Sequence, residues 1–352
     1  MANLTAKQIL KQLHYDLIGK DSYRGVTLTY SWLANQLGHF TLGFVPTFLF
    51  FNFLKHFTKI QHPAIWACTF FSVGWFVFEL FNFLAPLLKK TSKYAQKNAT
   101  DNYTFQPAWL NIAYDTATDV CFFWIGTLAA SINCESNQIL NYILILLGVV
   151  VLYPAYDWYT TKMHQQAANY PFQFRLSQWN CNITDEKKSL ITQFLQDKKT
   201  GKHLLLFGAN KTGKTSLAVA IANEMSIAKK HCSYVTAMKL FSLFFEEDTH
   251  LPNPKLLDLW VWRKASLLII DDVNPGLTVP INIINCDQFY QFLNNPLYGN
   301  ANKKTLTESS IIWVLGNDTE TSKKQQEWTL FLQERLAIPP LKITSINLSQ
   351  AT

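Results

Sequence analysis

The chain has 352 residues, room for about two domains at 100–200 residues each. Its net charge of +7 divides as 12 − 8 = +4 over residues 1–180 and 19 − 16 = +3 over residues 181–352, and neither half is basic enough for charge alone to argue for nucleic-acid binding. The six cysteines (Cys68, Cys121, Cys134, Cys181, Cys232 and Cys286) form no CxxC pair and no metal-ligand spacing, so they read as small buried hydrophobes with free thiols.

The first 30 residues are polar and lack the short apolar run and small-residue site of a cleavable signal peptide. Phe and Trp then crowd into stretches such as "FTLGFVPTFLFFNFL" and "FFSVGWFVFELFNFLAPLL". A helix needs about 20 mostly apolar residues to cross a bilayer. Four segments qualify as predicted spans: 37–57 with Pro46 inside, 64–88 broken only by Glu79, 110–132 with Asp115 and Asp119 early, and 139–156 without any charge. Trp32, Trp109, Tyr153, Trp158 and Tyr159 flank them as interfacial aromatics do. A soluble helical core is the alternative reading.

Lys89, Lys90, Lys93 and Lys97 fill the 89–107 loop, and Lys7, Lys11, Lys20 and Arg24 the tail, so positive-inside logic places both, and the C-terminal half, on the cytoplasmic side. Lys55 and Lys59 in the first short loop oppose this weakly. If 110–132 were re-entrant, three spans would put the tail outside. Glu79 lies roughly 15 Å from the inner boundary at about 1.5 Å per residue, near the midplane. It reads either as an ion, proton or protomer contact or as a protonated, hydrogen-bonded Glu inside the bundle. Asp115 and Asp119 share a helix face.

Residues 160–184 turn polar and aromatic, and Pro171 argues against a continuous helix, so the stretch reads as a linker. "DEKKSLITQFLQ" then shows Leu190, Ile191, Phe194 and Leu195 at helical spacing, with Gly201 as a stop. The short apolar run "HLLLFG" predicts a buried strand. Gly208 to Thr215, "GANKTGKT", fits G-x-x-x-x-G-K-[ST] between that strand and a following helix. Glycines let the backbone wrap phosphates, and successive N–H groups form an anion nest at a helix N-terminus. The predicted nucleotide-binding residues are Gly208, Asn210, Lys211, Thr212, Gly213, Lys214, Thr215 and Ser216. Lys214 would reach the β- and γ-phosphates of ATP, and Thr215 would ligate Mg²⁺.

"ASLLIIDDV" (265–273) predicts a second buried strand ending in two acids. Asp271 is the candidate Mg²⁺ ligand and Asp272 the residue that polarises the attacking water. "SSIIWVLGND" (309–318) predicts a third strand, with Asn317, ahead of Asp318, placed to orient water. The C-terminal half has two arginines, Arg263 and Arg335, against 17 lysines. Arg335 is the candidate arginine finger, acting in trans, with a surface salt bridge as the plain alternative.

Taken in order, "LLLFGANKTGKTSLAVAIANEM", "CSYVTAMKLFSLFFEE", "LLIIDDV", "IIWVLGN" and "ERL" make residues 185–340 resemble AAA+ ATPases of the helicase-loader and transposition-helper (DnaC/IstB-like) group. The resemblance implies an AAA+-like parallel sheet flanked by helices. It also implies ATP and Mg²⁺ as cofactors, and roles for Lys214, Thr215, Asp271, Asp272, Asn317 and Arg335. The sequence departs from the group at Asn210 and Lys211, in the Asn-rich stretch after "DDVNPG", in the short span beyond Arg335 that leaves no room for a helical lid, and in its membrane half. Viral superfamily-3 helicases share the loop, the paired acids and the strand-end Asn.

The expected architecture is an N-terminal α-helical transmembrane bundle (37–159) after a tail (1–36), then a linker (160–184) and a C-terminal α/β P-loop NTPase (185–352). The expected function is a membrane-anchored ATPase, a homo-oligomer in the bacterial inner membrane, switching or remodelling an unidentified protein partner beside membrane lipid. One rival makes the membrane half an effector or channel gated by nucleotide. Another makes the chain a membrane-tethered nucleic-acid ATPase using Lys303, Lys304, Lys323 and Lys324.

Overall fold

The computed structural model of the protein describes residues 5–7, 9–10, 28–88, 104–105, 109–179, 181, 183–196, 200–209, 211–247, 261–273, 284–316 and 321–349. The chain divides into two compact units, one of Ala6–Asn102 and Ala108–Lys162, the other of Met1–Thr5, Tyr103–Pro107 and Met163–Thr352.

The first unit is helical. It comprises α1 (Leu28–Phe57), α2 (Pro63–Leu88), α3 (Trp109–Cys134), α4 (Gln138–Val150) and the greater part of α5 (Leu152–Ala167). Among the described residues, four stretches are long and apolar enough to cross a membrane, by length and composition: Trp32–Phe57, Pro63–Leu84, Trp109–Cys134 and Gln138–Ala167. The first helix begins at Leu28, ahead of the apolar run at 37, because polar and aromatic residues continue the same helix. The fourth does not stop at 156. The chain turns at Val151, whose N–H still donates to the Leu147 carbonyl at 2.9 Å, and runs helically to Ala167.

Small residues set the packing of α1 on α3. A Cβ on Gly43 would meet the Phe123 carbonyl at 2.2 Å, and one on Gly126 the Phe40 carbonyl at 2.1 Å, so the two backbones touch. Pro46 has no N–H for the Leu42 carbonyl one turn back. The Trp75 indole of α2 donates to that carbonyl instead, at 3.1 Å. The Trp75 ring stacks on Phe123 with centroids 4.2 Å apart. Ser72 and Thr127 share a hydrogen bond of 2.8 Å, and Trp124 donates to the Ser72 carbonyl at 2.9 Å. The outer face leaves Phe53, Trp66, Phe70, Phe81, Ile145 and Leu146 exposed.

The second unit is an α/β layer structure. Its sheet has five parallel strands in the order β2-β3-β4-β1-β5, where β1 is His203–Phe207, β2 Cys232–Thr236, β3 Leu267–Asp271, β4 Ser310–Val314 and β5 Ile343–Asn347. The three central strands are buried along their whole length and read as the near-continuous apolar runs of a sheet covered on both faces. Alternation splits their side chains. Leu205, Phe207, Ile270 and Trp313 join one core with Phe289 and Trp328. Leu204, Leu206, Ile269 and Ile312 join another with Leu217 and Ile221. The covering helices are α6 (Asp185–Gln196), α7 (Lys214–Ile227), α8 (Ala237–Leu243), α9 (Cys286–Leu293), α10 (Gly299–Glu308) and α11 (Thr321–Leu330). Because every strand is parallel, the ends at Phe207, Thr236, Asp271, Val314 and Asn347 share one edge, where such sheets bind ligands.

Candidate functional site

The loop after β1 turns sharply into α7. Gly213 caps the helix at φ 80°, a left-handed conformation that suits glycine. A Cβ there would also come within 3.1 Å of the Trp179 indole nitrogen. Lys211 has a φ of 66°. The Thr212 and Ser216 hydroxyls donate to the Ala209 and Gly213 carbonyls, each at 2.9 Å, tying the loop to itself. The Lys214 ammonium curls back over the loop and donates to the Gly208 and Ala209 carbonyls, both at 2.8 Å. Burial lowers the Lys214 pKa below the usual lysine range, and the Asp271 and Asp272 carboxylates pull it back up. The helix N-terminus and the ammonium both favour an anion at this point.

The end of β3 meets the start of α7. Asp271, 2 % exposed, accepts the Thr215 hydroxyl on Oδ1 at 3.2 Å and the Asp272 N–H on the same oxygen at 2.8 Å. Its Oδ2 accepts the Tyr234 hydroxyl at 2.7 Å. Burial first, then this bond to the carboxylate, hold the Tyr234 phenol well above its usual range. Asp272 turns the chain at φ 53°, and partial burial and the Asp271 charge raise its carboxyl above the ordinary value, with Lys214 opposing. Thr215 and Asp271 are hard oxygen donors on adjacent elements, the donor type that Mg²⁺ takes.

Of the sequence-predicted residues, Gly208, Lys211, Thr212, Gly213, Lys214, Thr215, Ser216, Asp271 and Asp272 lie at this edge. Asn210 and Asn317 fall outside the described residues. Arg335 ends a π-helical turn, Phe331–Arg335, with its guanidinium 5.2 Å over the Tyr290 ring and 3.6 Å from Asp287. Arg263 donates to Asn302 and to the Glu246 and Leu243 carbonyls at 2.9–3.0 Å, which makes it a structural brace.

A family model, the TIP49 P-loop domain, matches residues 183–251. The matched stretch runs from the segment before α6 through β1, the loop, α7, β2 and α8. With the parallel sheet, it supports a P-loop NTPase domain of AAA+-like type in the C-terminal half. Comparison with curated proteins finds no match.

The P-loop edge also has members that spacing does not reveal. Tyr234, on the strand beside β3, reaches Asp271 through sheet register alone. The Trp179 indole donates to the Gly213 carbonyl at 3.1 Å. Ser349, after β5, accepts the Ala209 N–H through its hydroxyl. The stretch that reads as a linker is laid along the P-loop helix. Arg175 donates to both Glu224 carboxylate oxygens at 2.8 and 3.2 Å, and the Asn223 amide donates to the Phe174 carbonyl at 2.9 Å. Their only sequence signal is the polar and aromatic content of residues 160–182.

Proposed function

We propose that this chain is a membrane-anchored, AAA+-type ATPase whose nucleotide state switches or remodels a protein assembly at the membrane. The observation that carries the reading is the 3.2 Å contact between Thr215 and Asp271, with Lys214 beside it, at the carboxyl edge of a parallel sheet. This is the pairing of loop hydroxyl and strand-end acid that Mg²⁺-dependent phosphoryl transfer uses. The loop N–H groups and the α7 N-terminus bind the phosphates. Lys214 exchanges its bonds to loop carbonyls for phosphate oxygens. Thr215 and Asp271 would hold Mg²⁺, which when bound neutralises charge on the phosphate oxygens. Asp272, exposed beside that pair, orients the attacking water, and Asn317, three residues beyond β4 in the sequence, is assigned the same water. Arg335, half exposed on the surface, reaches a neighbouring protomer in a homo-oligomer.

Support for the membrane half is the length and composition of four helices and their exposed aromatic and aliphatic side chains. The lysines at 89–97 and in the tail favour a cytoplasmic ATPase domain. The test is phosphate release from ATP by the full-length protein in detergent with and without Mg²⁺, alongside binding of a fluorescent ATP analogue. Binding without Mg²⁺-dependent hydrolysis would leave a nucleotide sensor. No binding would end the reading.

A further inference from the structure

The helical unit encloses ionisable side chains that nucleotide chemistry does not use. His39 on α1 points Nε2 at Asp119 Oδ1 on α3, 3.2 Å away, with the two side chains 19 % and 20 % exposed. Glu79 on α2 is 6 % exposed, hydrogen-bonds Asn82 and interacts electrostatically with Asp115 and Asp119. Asp115, one turn before Asp119, also acts on His39. A second observation points to a ligand. Gln36 lies one turn before His39 and on the same α1 face as Gly43, the residue seated on the Phe123 backbone of α3. Gln36 is 3 % exposed, yet neither its amide nitrogen nor its amide oxygen has a hydrogen-bond partner. The His39 Nδ1 atom is likewise buried without one.

We propose that His39, Asp119 and Glu79, with Gln36, form a proton-binding site inside the bundle. The inference rests on the reading of the four helices as membrane spans. Asp119 pairs with the His39 imidazole, Asp115 acts on the same imidazole from one turn away, and Glu79 acts on Asp119 from α2. Among the described residues of the other packed helices, α5 carries the cation Lys162, which lies 5.4 Å over the Trp158 ring, and also His164. Helix α4 (QILNYILILLGVV) carries no Asp, Glu, Lys, Arg or His, and α5 brings Tyr153 against Tyr114 and a further negative charge, Asp157. Ionisable groups at membrane depth are rare and pair with one another when they serve proton relays. A carboxamide that can donate to a carboxylate and accept from a carboxylic acid suits both states. Metal binding is disfavoured, since no group of three or more His, Cys, Asp or Glu placed to hold a metal ion occurs among the described residues.

The experiment treats full-length protein in proteoliposomes with dicyclohexylcarbodiimide, which adds a protonated carboxyl group across its C=N bond, and locates the adduct by peptide mass spectrometry at pH 6 and pH 8. The expected result is an adduct on Glu79 or Asp119, several-fold more at pH 6 than at pH 8 and unaffected by Na⁺. Gln36→Leu should shift the pH midpoint of labelling. Absence of adduct on both residues at pH 6 would overturn the proposal. Protection by Na⁺ at constant pH would overturn it in favour of a metal-cation site. Alkaline carbonate extraction separates the two failures. Protein that stays in the membrane but does not label defeats the proton site alone, whereas protein released by carbonate defeats the membrane reading and this inference with it.

Discussion

Asp271 is held by three donors, from Thr215, Tyr234 and its own neighbour Asp272. If Thr215 turns elsewhere, the Tyr234 hydroxyl and the Asp272 N–H still hold the carboxylate, Tyr234 alone on Oδ2. A hydrogen bond to a charged group contributes about 1.5–3 kcal/mol net. Tyr234→Phe should therefore raise the Mg²⁺ concentration needed for half-maximal binding of a fluorescent ATP analogue by about ten-fold or more, leaving Mg²⁺-independent binding unchanged. Equal Mg²⁺ dependence would show that Tyr234 only packs. The loop residues and Asp271 were legible because their motif is local, eight residues in one case and a strand end in the other. Tyr234, Trp179 and Ser349 were not, because their contacts depend on strand register and on a chain segment folding back over the loop.

His203 gives a pH signature at the same scale. It is fully buried in β1, and its Nδ1 accepts the Trp313 indole N–H at 3.1 Å, so added charge has no welcome there. Burial, helped by Lys342, lowers its pKa to about 3. The unfolded chain, near 6.5, takes up the proton first, so this contribution is complete above that value and declines as pH falls toward 3. Between pH 7 and pH 5 the loss is about 2 kcal/mol. Chemical denaturation at the two pH values should show that loss in the wild-type chain and a smaller one in His203→Phe.

At the scale of elements, the helices of the first unit were legible as apolar runs, but their packing was not. Nothing in "FTLGF" or "FWIGT" says that these two glycines face each other's backbones. The sequence likewise hides that Trp75 satisfies the carbonyl orphaned by Pro46. Gly43→Ala should destabilise the detergent-solubilised protein by about 1–3 kcal/mol, because its new methyl group would sit against the Phe123 carbonyl. Gly38→Ala, with nothing within 4 Å, should be neutral or stabilising. Similar thermal shifts for the two would refute the packing. Strands β1, β3 and β4 announced themselves by continuous apolar runs. β5 did not, because an edge strand of mixed burial, "ITSIN", carries no apolar run. The 160–182 stretch was misleading for a related reason: its polarity suits a linker, but Arg175 spends its charge on Glu224 of the P-loop helix.

At the scale of the whole molecule, one chain carries a P-loop NTPase domain and a bundle read as membrane-spanning, and each half makes a separate demand. If Arg335 serves a neighbour's nucleotide, Lys214→Ala and Arg335→Ala should each be inactive alone, yet regain part of the ATPase rate when mixed, since a mixed assembly contains some sites with an intact loop and an intact finger. No recovery on mixing, with both variants folded, would place Arg335 outside the reaction. The most direct measurement is the steady-state rate of phosphate release from Mg²⁺-ATP by the purified full-length protein against that of Lys214→Ala. The wild-type rate should be clear and should fall by at least about a hundred-fold in the variant, since the lost ammonium stabilises charge in the transition state. Equal rates in the two proteins would contradict hydrolysis at the P-loop.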